Sequence, residues 1–212
     1  MPGIPELVEP SSTVLITHEM QRGVVGDLAR PGMPPAVAVA EAKVIPVLAD
    51  LLAAGRRAGL PVVHVAAVFR RPELGGFHNS PILQARAAGD TFLLEGSPEV
   101  DPVPDLFDEG DIVLHRYHGM SAYAGTELDW ILKSVGARTV VVTGVSLNRG
   151  VFGTTIEAVN YGYQVVLPKD CVAGYPKEYG EMVLEHSLAA LAWLTDAAEL
   201  TAVWSARERR GA

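Results

Sequence analysis

Residues Thr139-Val140-Val141-Val142-Thr143-Gly144 form a run that few environments can accept. Consecutive β-branched residues favour an extended chain, and an unbroken apolar run suits a strand covered on both faces. Gly144 ends the run and permits a sharp bend. Val151, Ile156, Ala158 and Val159 then recur at a spacing that fits a helix better than a second strand. Strand, tight turn and helix together make the repeating unit of an open α/β sheet. The turn at the strand's C-terminal end is where such sheets gather loops, helix N-termini and ligands.

The same unit recurs along the chain. Strands are predicted over 13–17, 61–68, 111–114, 163–167 and, at the edge, 199–203. An amphipathic helix is predicted from Val37 to about Ala54, with Pro46 kinking it or marking its effective start. A second follows Thr126, read as an N-cap with Asp129 in place of a capping-box Glu. A third covers 177–194. The sum is an α/β fold: a three-layer, doubly wound, mostly parallel six-stranded sheet. One domain over 12–205 is expected, with an extended arm at 1–11 and a short basic, solvated tail at 206–212. The long segment from Arg70 to Gly110 lacks periodicity, which marks a substrate loop or a stretch of short helices.

Composition excludes several classes. The 212 residues carry a formal charge of -8, against a general nucleic-acid binder. No apolar run reaches the ~18 residues of a membrane span, and no secretory signal is visible, so a cytoplasmic protein is expected. The single cysteine, Cys171, rules out an internal disulfide or a multi-thiolate metal site.

Three polar clusters follow three strands: Thr17-His18-Glu19-Met20-Gln21, His115-Arg116-Tyr117-His118 and Ser146-Leu147-Asn148-Arg149-Gly150. In a parallel sheet all strand C-termini share one edge, so the clusters should converge. The first cluster, the segment Ser121-Ala122-Tyr123-Ala124-Gly125-Thr126-Glu127-Leu128 and the turn Val142-Thr143-Gly144-Val145-Ser146 come in an order and spacing that resembles the isochorismatase-like hydrolase superfamily. The resemblance spans about residues 12–203.

It implies a fold of the type already read and a cis peptide at Val145–Ser146. The superfamily's amide hydrolases use an Asp, a Lys and a nucleophilic Cys. The resemblance places Glu19 at the Asp position, Arg116 or else His115 at the Lys position, and Gly150 where the Cys would stand. Isochorismatases resemble this chain in having Gly there, and they cleave a vinyl ether by acid-assisted hydrolysis without a nucleophile. The expected function is therefore non-covalent acid/base hydrolysis of a small anionic metabolite, with Glu19 as acid/base and Arg116 and Gly150 completing the centre. His115, His118, Ser146, Asn148, Arg71, His78 and Asn79 are candidate substrate contacts, and Arg116, Arg71 and Arg70 are candidates to hold a carboxylate bidentately.

No cofactor is expected, and no metal, because the histidine cluster near the second strand that nicotinamidases use is missing. His64, mid-strand, reads as a satisfied core residue. Cys171 reads as a buried, inert thiol. The resemblance also implies a homo-oligomer, a dimer or tetramer, with Trp193 or Trp204 exposed at an interface. The rival readings are a non-catalytic metabolite-binding or scaffold member and a non-covalent amide or imide hydrolase. A polar-lined pocket at the strand ends speaks against the non-catalytic reading.

Overall fold

The computed structural model describes residues 2–71, 74–75, 79–87 and 92–211. Six strands, β1 (Thr13–His18), β2 (Val62–Ala67), β3 (Ile112–Arg116), β4 (Thr139–Gly144), β5 (Gln164–Pro168) and β6 (Trp193–Thr195), form one sheet in the order β3-β2-β1-β4-β5-β6. Every neighbouring pair is parallel. The strand order reverses between β1 and β4, which opens a crevice at their C-terminal ends.

Both central strands are buried along their whole length. Successive residues face opposite layers: Leu15 and Val141 pack into one core, Val14, Ile16, Val140 and Val142 into the other. The first core is covered by α2 (Pro34–Ala42), α3 (Val44–Arg57) and α8 (Ala197–Gly211). The second lies under α5 (Leu128–Ser134), α6 (Phe152–Asn160) and α7 (Lys177–His186). This is the three-layer α/β architecture read from the sequence. Gly144 has φ +98°, and a Cβ there would sit 2.3 Å from the His18 carbonyl oxygen, so both the bend and the close approach require glycine.

Several elements differ from the sequence reading, each for a local reason. Residues 199–203 belong to α8, whose Leu200 and Trp204 are fully buried against the first core, and the sixth strand is instead the short β6. The helix predicted over 37–54 is two helices, broken at Lys43, which adopts a left-handed φ of 54°. Pro46 sits in the first turn of α3, where its missing N–H costs no helical bond. The predicted arm is not extended. It carries a short helix, α1 (Ile4–Leu7), with Leu7 and Val8 buried, and the Trp204 indole N–H donates to Val8 O at 3.0 Å. Nor is the C-terminus a free tail: α8 runs to Gly211 and Arg207 pairs with Glu9.

Trp204 is buried and Trp193 half-buried; the exposed tryptophan is Trp130, at 75%. The N-cap of α5 is Glu127, not Thr126, and it makes no side-chain capping bond; Thr126 stands one residue earlier, its Oγ1 accepting from Leu128 N at 3.2 Å, and Asp129 accepts from Lys133 and Tyr163 instead. The long segment from Arg70 to Gly110 includes α4 (Pro81–Ala87) and two single helical turns, Pro98–Val100 and Pro104–Leu106.

Candidate active site

β1 ends on His18, and the next residue, Glu19, has φ 53°. This left-handed conformation is uncommon for a residue with a side chain. Its backbone N–H donates to Val65 O at 2.8 Å, so the chain leaves the strand in a fixed direction. Gln21 then clamps this exit to β2: its Oε1 accepts from Ala67 N at 2.6 Å and its Nε2 donates to Ala67 O at 3.1 Å. β3 runs two residues further than its apolar run suggested, which puts Arg116 at its end, in register with Ala67.

Arg116 is 6% exposed and its guanidinium donates to Glu19 Oε1 and to the Gly119 carbonyl. Its Nε is buried without a hydrogen-bond partner. β4 ends in the cis peptide Val145–Ser146 and passes into a π-helical turn, Leu147–Val151. The cis bond stands where the family resemblance implied it.

These three strand ends surround a cavity of about 60 Å³. Glu19, Arg116, Ser146, Arg149 and Gly150 line its polar side. Val24, Met33, Phe69, Ile82 and Leu83 are among the apolar residues that line it, the last two from α4. The long segment therefore does supply a wall of the site.

The other candidates fall elsewhere. His115 packs edge-on against Tyr117, ring centroids 6.1 Å apart, in a cluster where the Arg70 guanidinium lies 4.0 Å over the Tyr117 ring. Arg116, not His115, is thus the β3 residue that meets Glu19, and Arg70 is occupied by an aromatic face. His118 is half-buried and Asn148 half-buried, and neither lines the cavity. Arg71 and Asn79 are exposed and also do not line it; His78 lies outside the described residues. Among the described residues no three His, Cys, Asp or Glu side chains gather to hold a metal ion.

One residue of the site gave no signal in the sequence beyond its polarity. His18 is fully buried, and its ring nitrogens Nδ1 and Nε2 face the carbonyl oxygens of Val145 at 2.7 Å and Met120 at 3.1 Å. The ring occupies the room a side chain at position 150 would need: a Cβ on Gly150 would lie 2.1 Å from His18 Cε1. Burial pushes the imidazole below its ordinary value. Glu19 and the two carbonyls oppose that shift, and Arg116 adds to it.

The isochorismatase domain profile matches residues 13–199, from the first residue of β1 into α8. The chain belongs to the isochorismatase family. It is 27% identical over 125 residues, 58% of its length, to the maleamate amidohydrolase of Pseudomonas putida, and spans 57% of that relative. The fold matches a cysteine hydrolase from Pseudomonas syringae pv. phaseolicola with a TM-score of 0.78 at 19% identity, over 94% of this chain and 95% of that one. It also matches the N-carbamoylsarcosine amidase of Thermoplasma acidophilum, with a TM-score of 0.69 at 22% identity, over 88% and 96%.

In this member of the isochorismatase family the single thiol, Cys171, is fully buried in the α2/α3/α8 core just after β5. Burial, with Asp170 beside it, pushes its pKa up, which disfavours the thiolate. No helix among the described residues is long and apolar enough to cross a membrane.

Proposed function

We propose that the chain is a small-molecule hydrolase in which water, activated by Glu19, takes the place of a protein thiolate. The observation that carries this reading is the occupation of the nucleophile's room by the His18 ring, beside a Glu19–Arg116 pair that opens on the same cavity. A side chain cannot attack from position 150, so the attacking oxygen comes from solvent.

Glu19 accepts a hydrogen bond from the Arg116 guanidinium, an arrangement that suits a carboxylate working on a bound water rather than a donor of protons to carbon. That favours acyl hydrolysis over the vinyl-ether cleavage expected from Gly150 alone, and it agrees with the amidohydrolase among the chain's relatives. In the proposed cycle Glu19 takes a proton from water as its oxygen bonds to the amide carbon. The tetrahedral intermediate then breaks its C–N bond, and Glu19 returns the proton to the leaving nitrogen. Arg116 holds the carboxylate in place. Ser146, half-buried on the cavity wall, offers a hydroxyl to the developing oxyanion.

The test is a side-by-side screen of small amides, imides and vinyl ethers, followed by Glu19→Gln. Loss of a general base lowers kcat by about 10²–10⁴-fold. Activity should also survive exhaustive treatment with iodoacetamide. Full turnover by Glu19→Gln, or inactivation through Cys171, would sink the reading.

A further inference from the structure

The His18 ring faces two backbone carbonyl groups. Its Nδ1 lies 2.7 Å from Val145 O and its Nε2 3.1 Å from Met120 O, and the residue is fully buried. A carbonyl oxygen can only accept. A neutral imidazole carries one N–H and one lone pair, so it satisfies one of these oxygens and turns a lone pair toward the other. Only the imidazolium donates to both.

The two carbonyls belong to loops from either side of β1. Val145 opens the turn after β4 that brings Ser146 and Gly150 to the cavity, whereas Met120 lies in the loop after β3 and lines the cavity with Gly119. Residue 18 already grips the β4 side, because Val145 N–H donates to His18 O at 2.9 Å. The shorter ring contact is to the same Val145. A charge on a buried ring is costly, and the Arg116 guanidinium at the end of β3 adds to that cost, while Glu19 at the exit of β1 opposes it. The π-helical turn Leu147–Val151 meets the ring through Gly150, which brings no charge.

We infer that His18 is a positioning residue whose proton count sets how the cavity is held. Neutral, its Nδ1–H ties the Val145 carbonyl and the ring gives Met120 no proton. With a second proton, its Nε2–H ties the Met120 carbonyl as well. The β4 turn is therefore the fixed wall and the β3 loop the adjustable one. Gly119, beside Met120, accepts from the Arg116 guanidinium that also holds Glu19, so the adjustable wall supports that pair. Any effect on turnover rests on the hydrolase reading; the place of the proton does not.

The experiment is nitrogen NMR of isotope-labelled histidine in the full chain, with the His18 ring assigned among the six histidines through its own backbone. At pH 7.5 Nδ1 should carry the proton and Nε2 the lone pair. On acidification Nε2 should gain a proton before the chain unfolds. Amide hydrogen exchange reads the walls. Ala122 and Tyr123, whose N–H groups donate to Thr154 Oγ1 and Ser121 Oγ, report on the β3 loop. Their protection factors should rise about tenfold across the titration, the scale of one added hydrogen bond from a charged group. Leu147, whose N–H donates to Ala173 O, reports on the β4 turn and should not change. His18→Gln has no titrating ring and should lose the rise. A proton on Nε2 alone or on both nitrogens at pH 7.5, no second protonation, or protection that stays flat or rises equally at Leu147 would overturn the inference. None of these readouts needs turnover, so this inference and the hydrolase reading fail separately.

Discussion

His18 and His64 stand on adjacent strands, one register step apart, since Thr17 pairs with His64 and His18 with Val65. Both are buried, and burial pushes both imidazoles below their ordinary value. They nevertheless face opposite layers of the sheet and meet different partners. His64, mid-strand, is held by side chains: its Nδ1 lies 2.7 Å from Thr17 Oγ1 and its Nε2 2.9 Å from Asp111 Oδ2, while Arg56 donates to both oxygens of Asp111. His18, at the strand's end, is held by the backbone of two loops beside the cavity and fills the space that a side chain at position 150 would need. Burial alone does not tell a structural histidine from one that shapes a site. Position along a parallel strand does, because only the C-terminal edge borders the crevice.

The largest effect expected from this contrast is on the His64 side. Asp111→Ala removes the acceptor shared by His64 and Arg56 and leaves both donors facing a buried space. Breaking a buried ionic network in this way costs about 3 kcal/mol or more. Urea unfolding should show that loss, while turnover per folded molecule stays unchanged because none of these groups lines the cavity. A large fall in turnover would blur the division between the two histidines.

The next effect is on the His18 side. Gly150→Ala forces a methyl group against a ring pinned by two carbonyls, an overpacking worth roughly 1–3 kcal/mol. In a His18→Ala background the same substitution enters vacated space and should become neutral or stabilising. Unfolding midpoints for wild type, both single variants and the double variant decide it. Additive losses would mean that ring and glycine do not form one packing unit.

The fold was legible because its signals are local and redundant. The β-branched run at β4, its glycine and the repeated strand–helix alternation each point to a parallel sheet, and the convergence of Glu19, Arg116 and Ser146 follows from topology alone. What escaped depends on contacts between distant residues. Residues 199–203 have strand-like composition, yet the burial of Leu200 and Trp204 on the first core makes them helix. The arm reads as an aperiodic segment of prolines and glycine, but Leu7 and Val8 are recruited by α8. Arg71 and Asn79 share the long loop with the wall residues Ile82 and Leu83, and spacing cannot say which of them turns inward. The link between His18 and Gly150 joins residues far apart in the chain, and no pattern within either segment announces it.

The smallest expected effect is a pH dependence that weighs the two histidines against each other. In the folded chain each ring is depressed below the ordinary value of 6.5, so each stays neutral where the unfolded chain begins to take up a proton. The unfolded state then binds more protons than the native one, and stability falls as pH drops. The contribution is complete above 6.5 and is lost on descent toward the native values. Asp111 adds to the trend at lower pH, because hydrogen bonds from Arg56 and His64 outweigh its burial and hold its carboxyl below the ordinary 3.8. Thermal unfolding between pH 7.5 and 5 should therefore show a declining Tm at about constant salt. His64→Gln keeps a donor for Asp111 but cannot titrate, so it should flatten part of that decline. His18→Gln should flatten another part, because burial depresses that ring too, against Glu19 and the two carbonyls. A slope unchanged in either variant would show that the histidine in question does not contribute to the decline.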